Sequence, residues 1–290
     1  ETILQEKSMT KKSVLFLDGI PDDGKVVIDQ FKKTGEIIYQ VLGSANVYDH
    51  VKDNALFDCT SVTFDRRERQ ELAGGMIHAV FNQISEPDGN TVTLEKAENF
   101  YKAAPPSIPF FNLPSNIKKT TRDNIYRLLH DIDKLHVPKT VRIQPKSPEE
   151  IYDAIKKEGF EYPVIFRQAG DHGGKSTIKI DDETEQFYEF ILDGRDYYLT
   201  QFVEYADKEG IYAKYRLMVV DGEVYLRHIV FAKKWMVHAK NELNDQKTKK
   251  AYTVLAKNFS KEIKPKIQPI ITEIHNRLGL DYFGIDCNID

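Results

Sequence analysis

Cysteine is scarce in this sequence: 290 residues carry only Cys59 and Cys287, far apart. That excludes a disulfide framework and a Cys-x-x-Cys metal or redox pair, and it points to a reducing compartment. Long hydrophobic runs are missing as well. The apolar stretch Val14 to Leu17 ends at Asp18, too short for a signal-peptide core or a spanning helix, so the chain reads as soluble and cytoplasmic, with no membrane partner. Charge of one sign is not in excess, because 41 Lys and Arg face 45 Asp and Glu for a net charge of −4. Such a balance provides no net basic field to hold nucleic acid or an anionic membrane, which leaves only local basic patches. No internal repeat or low-complexity tract stands out. What is present, 41% hydrophobic and 30% charged residues, is the composition of a folded chain of about two domains.

Glu1 to Lys12 is polar and aperiodic and reads as a tag remnant or a linker from an upstream domain. The strand Val14 to Leu17 precedes the turn chemistry of Asp18 to Gly24, and Val26, Val27, Ile28 and Phe31 then predict a helix. Ile37 to Leu42 and Ala79 to Ile84 predict further buried strands, so residues 13–114 read as a small α/β domain. The prolines from Ala104 to Pro109 forbid a regular helix and place a domain junction near Ser115. Ile125, Leu128, Leu129 and Ile132 recur at helical spacing, which predicts an amphipathic helix over Thr121 to Asp133. Ser147-Pro148-Glu149-Glu150 joins a capping Ser, Pro at the first helical position and a capping-box Glu, and Ile151, Ala154 and Ile155 supply the apolar stripe.

From Pro163 the period changes to that of strands. Pro163 to Arg167 and Ser176 to Ile180 flank a glycine-rich loop and predict a hairpin; a helix with Phe187, Phe190 and Ile191 on one face follows, then a strand over Tyr197 to Val203. Asp221-Gly222 between Tyr212–Val220 and Glu223–Ala232 is the two-residue signature of a type I′ hairpin. A long helix with Ile267, Ile270, Ile271, Ile274 and Leu278 ends at Gly279 before a strand, Tyr282 to Cys287.

The loop Ala169 to Ser176 carries the most chemistry, since Gly170, Gly173 and Gly174 let backbone N–H groups turn onto an anion without obstruction. It satisfies a relaxed P-loop pattern ending in Gly174-Lys175-Ser176, but a P-loop opens into a helix, whereas Thr177-Ile-Lys-Ile180 alternates as a strand does. A plain glycine hairpin without ligand is the bland alternative. Arg167 at the end of the incoming strand and Arg122 at a helix start are cations suited to phosphate oxygens. Gln201-Phe202-Val203-Glu204 ends a strand with an amide, a backbone edge and a carboxylate that suit adenine and ribose hydroxyls. Asp286, within an apolar strand, requires either an ion pair or a bound cation.

Taken in order, the proline junction, Thr120-Thr121-Arg122-Asp123, Pro163 to Arg167, Gly170 to Lys175, Gln201 to Glu204, Lys214-Tyr215-Arg216 and Gly284-Ile285-Asp286 resemble the ATP-grasp superfamily of glutathione-synthetase-like fold over roughly Phe81 to Asp290. The resemblance implies α/β architecture overall: a small preceding domain followed, over residues 115–290, by a two-subdomain ATP-grasp fold of α+β character, the glycine loop in a subdomain of about residues 136–200. It further implies an ATP- and Mg²⁺-dependent ligase that joins a small-molecule or peptide carboxylate to an amine or thiol through an acyl phosphate. Arg122 and Arg167 would contact the phosphates, Gly170 to Lys175 would be a mobile lid, and Gln201, Phe202, Val203 and Glu204 would hold adenine and ribose. Arg216 would be the catalytic cation facing the γ-phosphate, Asp286 would bind Mg²⁺, and His228, Trp235 and His238 would line the acceptor side.

One departure accompanies the resemblance. Family members supplement that Asp with a Glu-x-Asn on a neighbouring strand, and this sequence reaches Asp290 before it. Asn288 and Asp290 share a face with Asp286 by strand alternation without replacing the second strand. The expectation is therefore a fragment of such a ligase, with a nucleotide-binding regulatory module without turnover as the alternative and a P-loop NTPase as the third reading.

Overall fold

The computed structural model describes residues 11–67, 76–171 and 174–289. The chain divides into two compact units with the boundary between Lys118 and Lys119.

The first unit is built in the order β1 (Lys12–Gly19), β2 (Val27–Phe31), β3 (Ile37–Gln40), α1 (Val47–Val51), β4 (Phe57–Phe64), β5 (Ala79–Asn82), α2 (Thr91–Ala103), β6 (Phe110–Phe111) and α3 (Pro114–Ile117). Val14, Leu15, Phe16 and Leu17 are all buried, as a strand with parallel neighbours on both sides and cover on both faces requires. They run through the centre of a parallel sheet of order β4-β1-β5-β6. Helix α2 closes on this sheet through buried Leu94 and Ala97. Gly19 makes the approach possible: a Cβ there would stand 2.4 Å from the Thr93 hydroxyl oxygen.

Two sequence expectations fail here for one reason. Within Val26 to Phe31, Val27–Phe31 forms strand β2 rather than a helix, and Ile37 to Leu42 yields the short β3, which is largely exposed rather than buried. The β-branched runs on both segments favour extended backbone. Gly35 at φ 85° closes the turn between them, with Gly35 N–H donating to Lys32 O at 3.0 Å. Among the described residues no core covers the resulting antiparallel pair, and Phe31 is 67% exposed.

The second unit follows as α4 (Arg122–Leu129), β7 (Thr140–Ile143), α5 (Pro148–Lys157), β8 (Val164–Gln168), β9 (Thr177–Ile180), β10 (Tyr197–Gln201), β11 (Tyr212–Val220), β12 (Glu223–Ala232), α6 (Gln246–Asn258), α7 (Lys264–Leu278) and β13 (Tyr282–Cys287), with a π-turn over Phe259–Ile263 joining α6 to α7. Helix α4 stops four residues before the expected Asp133, in a turn where Ile132 N–H donates to Leu129 O at 3.2 Å. Helix α5 starts where its capping signals say it does, and the Glu150 carboxylate reaches back to accept the Lys146 N–H at 2.8 Å.

Strands β7, β10, β8 and β9 form an antiparallel sheet in that order. Val164, Phe166, Ile180, Tyr197 and Leu199 fill one of its faces and pack with Ile151 and Ile155 of α5. The helix expected around Phe187 and Phe190 does not form. Asp182 accepts from Thr184 N–H at 2.8 Å, and one Glu185 oxygen accepts from the N–H groups of Gln186 and Phe187. These local side-chain bonds compete with the helical ladder. Phe187, at φ 57°, still reaches the core, its ring 5.2 Å from that of Phe166.

A second antiparallel sheet has the order β12-β11-β13. Its hairpin turns at Asp221 and Gly222 with φ of 50° and 77°, the two positive values a type I′ turn demands. Helix α7 contributes buried Ile271, Ile274 and Leu278 and ends at Gly279 in the left-handed region. Among the described residues no helix is long and apolar enough to cross a membrane.

Because Ile151 is fully buried in the core beneath the four-stranded sheet, Ile151→Ala is expected to lower the unfolding free energy of this unit by about 2–5 kcal/mol. Urea denaturation followed by the fluorescence of Trp235, the single tryptophan, measures it. A change below about 0.5 kcal/mol would contradict this core assignment.

Candidate functional site

Directly paired residues in an antiparallel sheet share a face. With the apolar set committed to α5, the alternate residues of the four-stranded sheet, Arg142, Arg167, Thr177, Lys179, Tyr198 and Thr200, occupy the opposite face. Three cations thus stand on one side of one sheet. Each has an acidic neighbour. Arg142 bonds Asp196 at 2.8 Å, lies 3.7 Å from Asp123 and stacks 4.9 Å over the Tyr198 ring. Burial opposes the charge on Asp123, but the Thr121 hydroxyl, Arg142 and Arg127 hold its carboxyl below the ordinary range. Lys179 pairs with Asp181 at 2.9 Å.

Arg167 reaches into the glycine loop. Its Nη2 donates to Asp171 O at 2.6 Å and lies 3.9 Å from the Asp171 carboxylate, which also accepts the Ser176 N–H at 3.0 Å. Asp171 therefore ties the two ends of the loop to the strand that bears Arg167. Gly170 and Gly174 have φ of 73° and 71°, backbone that glycine adopts without strain. Gly173 lies outside the described residues, and Lys175 is exposed. Ser176 leads directly into strand β9, which corrects the P-loop reading: no helix N-terminus follows the glycines to face a phosphate. The hydroxyls of Ser176 and Thr177 are buried with no hydrogen-bond partner among the described residues.

Beyond strand β10 the four expected hinge residues behave differently from one another. The Gln201 side chain is engaged by its own fold: Nε2 donates to Glu161 O at 2.7 Å and Pro163 O at 3.2 Å, while Oε1 accepts the Glu161 N–H at 3.1 Å. Its amide holds the segment around Pro163. Phe202 donates its N–H to Pro163 O at 3.3 Å and presents its ring to Lys179, 5.0 Å from the centroid, and edge-on to Trp235 at 5.9 Å. Val203 is half-buried. Glu204 accepts from Ala206 N–H and from the Tyr212 hydroxyl, both at 2.9 Å. The Ala206 bond leads in holding the Glu204 carboxyl below its usual range, and burial together with this carboxylate pushes Tyr212 up to about 12. Tyr212, Val230, Ala232 and Val237, with Tyr205 and Trp235 against them, pack the hinge onto the second sheet.

On that sheet Arg216 lies opposite both His228 and Asp286. Its Nη1 donates to Asp286 at 3.0 Å, and Lys214 approaches the other carboxylate oxygen at 3.5 Å. Gly284 is needed there, since a Cβ would come within 2.9 Å of the Arg216 guanidinium carbon. Arg122 is exposed at the first residue of α4 and joins neither group of side chains. Asp290 lies outside the described residues. Among the described residues no group of three His, Cys, Asp or Glu side chains surrounds a possible metal position. With both Asp286 oxygens turned to cations, the residues present do not fit a protein-held Mg²⁺.

Two features escaped the sequence reading. Lys179 was detectable from the alternation of Thr177 to Ile180, since it falls opposite the half-buried Ile178 and the buried Ile180. The loop after β12 was not: Trp235 and His238, expected on the acceptor side, lie against Phe202 and Gly174 respectively.

Compared by structure, the chain is similar to D-alanyl-alanine synthetase A from Vibrio cholerae O1 biovar eltor, with 14% identity and a TM-score of 0.53 over 96% of this chain and 85% of that one. It is also similar to the VanG D-Ala:D-Ser ligase from Enterococcus faecalis, at 12% identity and a TM-score of 0.51 over 96% of this chain and 86% of that one. The N5-carboxyaminoimidazole synthetase from Staphylococcus aureus complexed with ADP matches at 12% identity and a TM-score of 0.51, over 96% of this chain and 67% of that one. Against the carboxyaminoimidazole ribonucleotide synthase from Asperigillus clavatus, the chain spans 49% of that protein's length. By sequence it matches no family model and no curated protein. The fold is that of the ATP-grasp superfamily.

His228 offers a test of the electrostatics on the second sheet. Burial foremost, then Arg227, Arg216 and Lys214, push its imidazole below the ordinary histidine range, and Asp286 alone among its neighbours opposes them. Asp286→Asn is therefore expected to lower the His228 midpoint further, followed by NMR titration of the ring protons. In the folded chain the neutral ring is favoured, so its contribution to stability is present near neutral pH and is lost as pH falls through the folded-state midpoint. A midpoint that rises in the variant would overturn the assignment.

Proposed function

We propose that this chain is an ATP-dependent ligase that activates a carboxylate as an acyl phosphate and passes the acyl group to an amine or a thiol. The observation that carries this reading is the glycine hairpin with Arg167 and Lys179 on the strands that flank it, beside an aromatic pair, Phe202 and Trp235, at the end of the neighbouring strand. Cations and open backbone suit a polyphosphate, and the rings suit a flat base.

In this reading Phe202 and Val203 border the base and Glu204 faces the ribose, while the backbone of Gly170, Gly173 and Gly174, with Lys175, covers the phosphates. Arg167 bears on phosphate oxygens, whereas Arg122, which joins neither group of side chains, would do so only if α4 moved toward the loop. A substrate carboxylate oxygen attacks the terminal phosphorus, the bond to the bridging oxygen breaks, and ADP departs. The amine or thiol then attacks the acyl carbon, the C–O bond breaks, inorganic phosphate leaves, and the nucleophile loses its proton. Charge grows on the transferring group during the first step, and preorganised cations there stabilise it. Arg216 supplies that charge from the second sheet, held against Asp286 and above Gly284. Mg²⁺, if it accompanied the nucleotide, would shield the phosphates as part of the ligand, since both Asp286 oxygens are turned to Arg216 and Lys214.

That ion pair supports a second reading, a nucleotide-binding module without turnover. ADP and phosphate release measured over a panel of carboxylates, with and without amine or thiol acceptors, separates the two: release that requires both substrates supports the ligase, and tight ATP binding with no release supports the module. For either reading Arg167→Ala is expected to weaken ATP by about 1.5–3 kcal/mol through loss of charge-assisted hydrogen bonds. Calorimetry checks this, and unchanged affinity in the folded variant would remove Arg167 from the site.

A further inference from the structure

The loop that leaves β12 touches the candidate nucleotide site at two separate points. Near its start the Trp235 indole meets the Phe202 ring, and three residues on His238 meets the glycine loop, where a Cβ on Gly174 would stand 3.4 Å from His238 Nε2 and 3.0 Å from Met236 Sδ. The two points lie three residues apart, a separation of at most about 10 Å. The loop is fastened rather than loose. Asn241 accepts the His238 N–H at 2.9 Å, donates its side-chain amide to Met236 O at 2.8 Å, and donates its own N–H to His238 O at 3.0 Å.

Within this fixed loop His238 Nε2 is buried and has no hydrogen-bond partner among the described residues. A buried polar atom left unpaired is destabilising unless something bound satisfies it. The same condition holds for the hydroxyls of Ser176 and Thr177, at the end of the loop that His238 faces. Three orphaned polar groups from two separate segments, Ser176-Thr177 and His238, around one glycine loop call for an oxygen-rich ligand with several acceptors, which describes a phosphate.

We infer that His238 is a phosphate-binding residue of the nucleotide site, donating from Nε2 to the terminal phosphoryl group and so distinguishing a nucleoside triphosphate from a diphosphate. This rests on the nucleotide reading proposed above. The terminal group is favoured over the inner ones because Arg167 and Lys179 rise from the first sheet, whereas His238 arrives on the loop of the second sheet, the sheet that bears Arg216. Ser176 and Thr177 hydroxyls complete the cradle from the hairpin side.

Calorimetric titration of the full chain with ADP and with a non-hydrolysable ATP analogue tests it, using the variants His238→Phe, which keeps ring bulk without a donor, and His238→Gln, whose amide replaces Nε2–H. The expected result is about a tenfold loss of affinity for the ATP analogue in His238→Phe, with ADP affinity changed by less than about twofold, and recovery of analogue binding in His238→Gln. Equal losses for both nucleotides would show that His238 merely packs against the loop, and no loss for either would remove it from the site; both results overturn the inference. If the unmodified chain binds neither nucleotide, the nucleotide reading itself falls, and that failure is distinguishable because it precedes any effect of the variants. Near-equal thermal midpoints for the three proteins ensure that the comparison is between folded chains.

Discussion

Burial of one face of the β7-β10-β8-β9 sheet against α5 is the constraint on which the candidate site depends. Side chains on a strand alternate, so once Val164, Phe166, Ile178 and Ile180 are taken into the core or packed against it, Arg167, Thr177 and Lys179 have only the other side to occupy. A shift of one residue in pairing would exchange the two sets and bury the cations beneath the helix, at a penalty far larger than any gain. The register that protects the core is thus the same register that builds the cationic face. The second sheet obeys the same logic: Tyr215, Leu217 and Val219 are buried, and Lys214 and Arg216 turn the other way towards Asp286.

Those cations are paired in advance. Arg142 has Asp196, Arg167 has Asp171, Lys179 has Asp181, and Arg216 shares Asp286 with Lys214. Such pairing holds side chains in position and limits self-repulsion among like charges. The pairs differ in how readily they exchange. Asp181 and Asp286 are well exposed, and ion pairs in that setting contribute little net stability, so an arriving polyanion displaces them at small cost. The Arg167–Asp171 contact is largely buried and is better regarded as part of the loop's frame.

The two segments where apolar spacing misled share a cause. Val26 to Phe31 has apolar residues at spacings compatible with a helix, yet its β-branched residues and a glycine turn to a similar run give a hairpin. Around Phe187 the apolar spacing is equally helical, but Asp182 and Glu185 bind the backbone N–H groups a helix would need. Periodicity reports which side chains seek burial and is silent about local hydrogen-bond competition. At Gln201 the error is of another kind: an amide at a strand end looks available for a base, but the backbone of Glu161 and Pro163, forty residues upstream in sequence, engages it.

By itself the sequence determined the elements with strong local signals: the central strand at Val14 to Leu17, helix α5 from its capping residues, the glycine hairpin, the Asp221-Gly222 turn and the final helix stopped by Gly279. Each depends on residues within a few positions of one another, where propensity and turn chemistry act directly. The ordered set of short motifs also pointed to the fold. Tertiary structure alone decided which cation meets which carboxylate, that Lys179 approaches Phe202, and that Trp235 and His238 fall on the hinge and the glycine loop. Apart from the local Arg167–Asp171 and Lys179–Asp181 pairs, these contacts join residues far apart in sequence, and those of Trp235 and His238 carry the loop after β12 onto the hinge and the glycine loop of the other sheet, which no local pattern encodes.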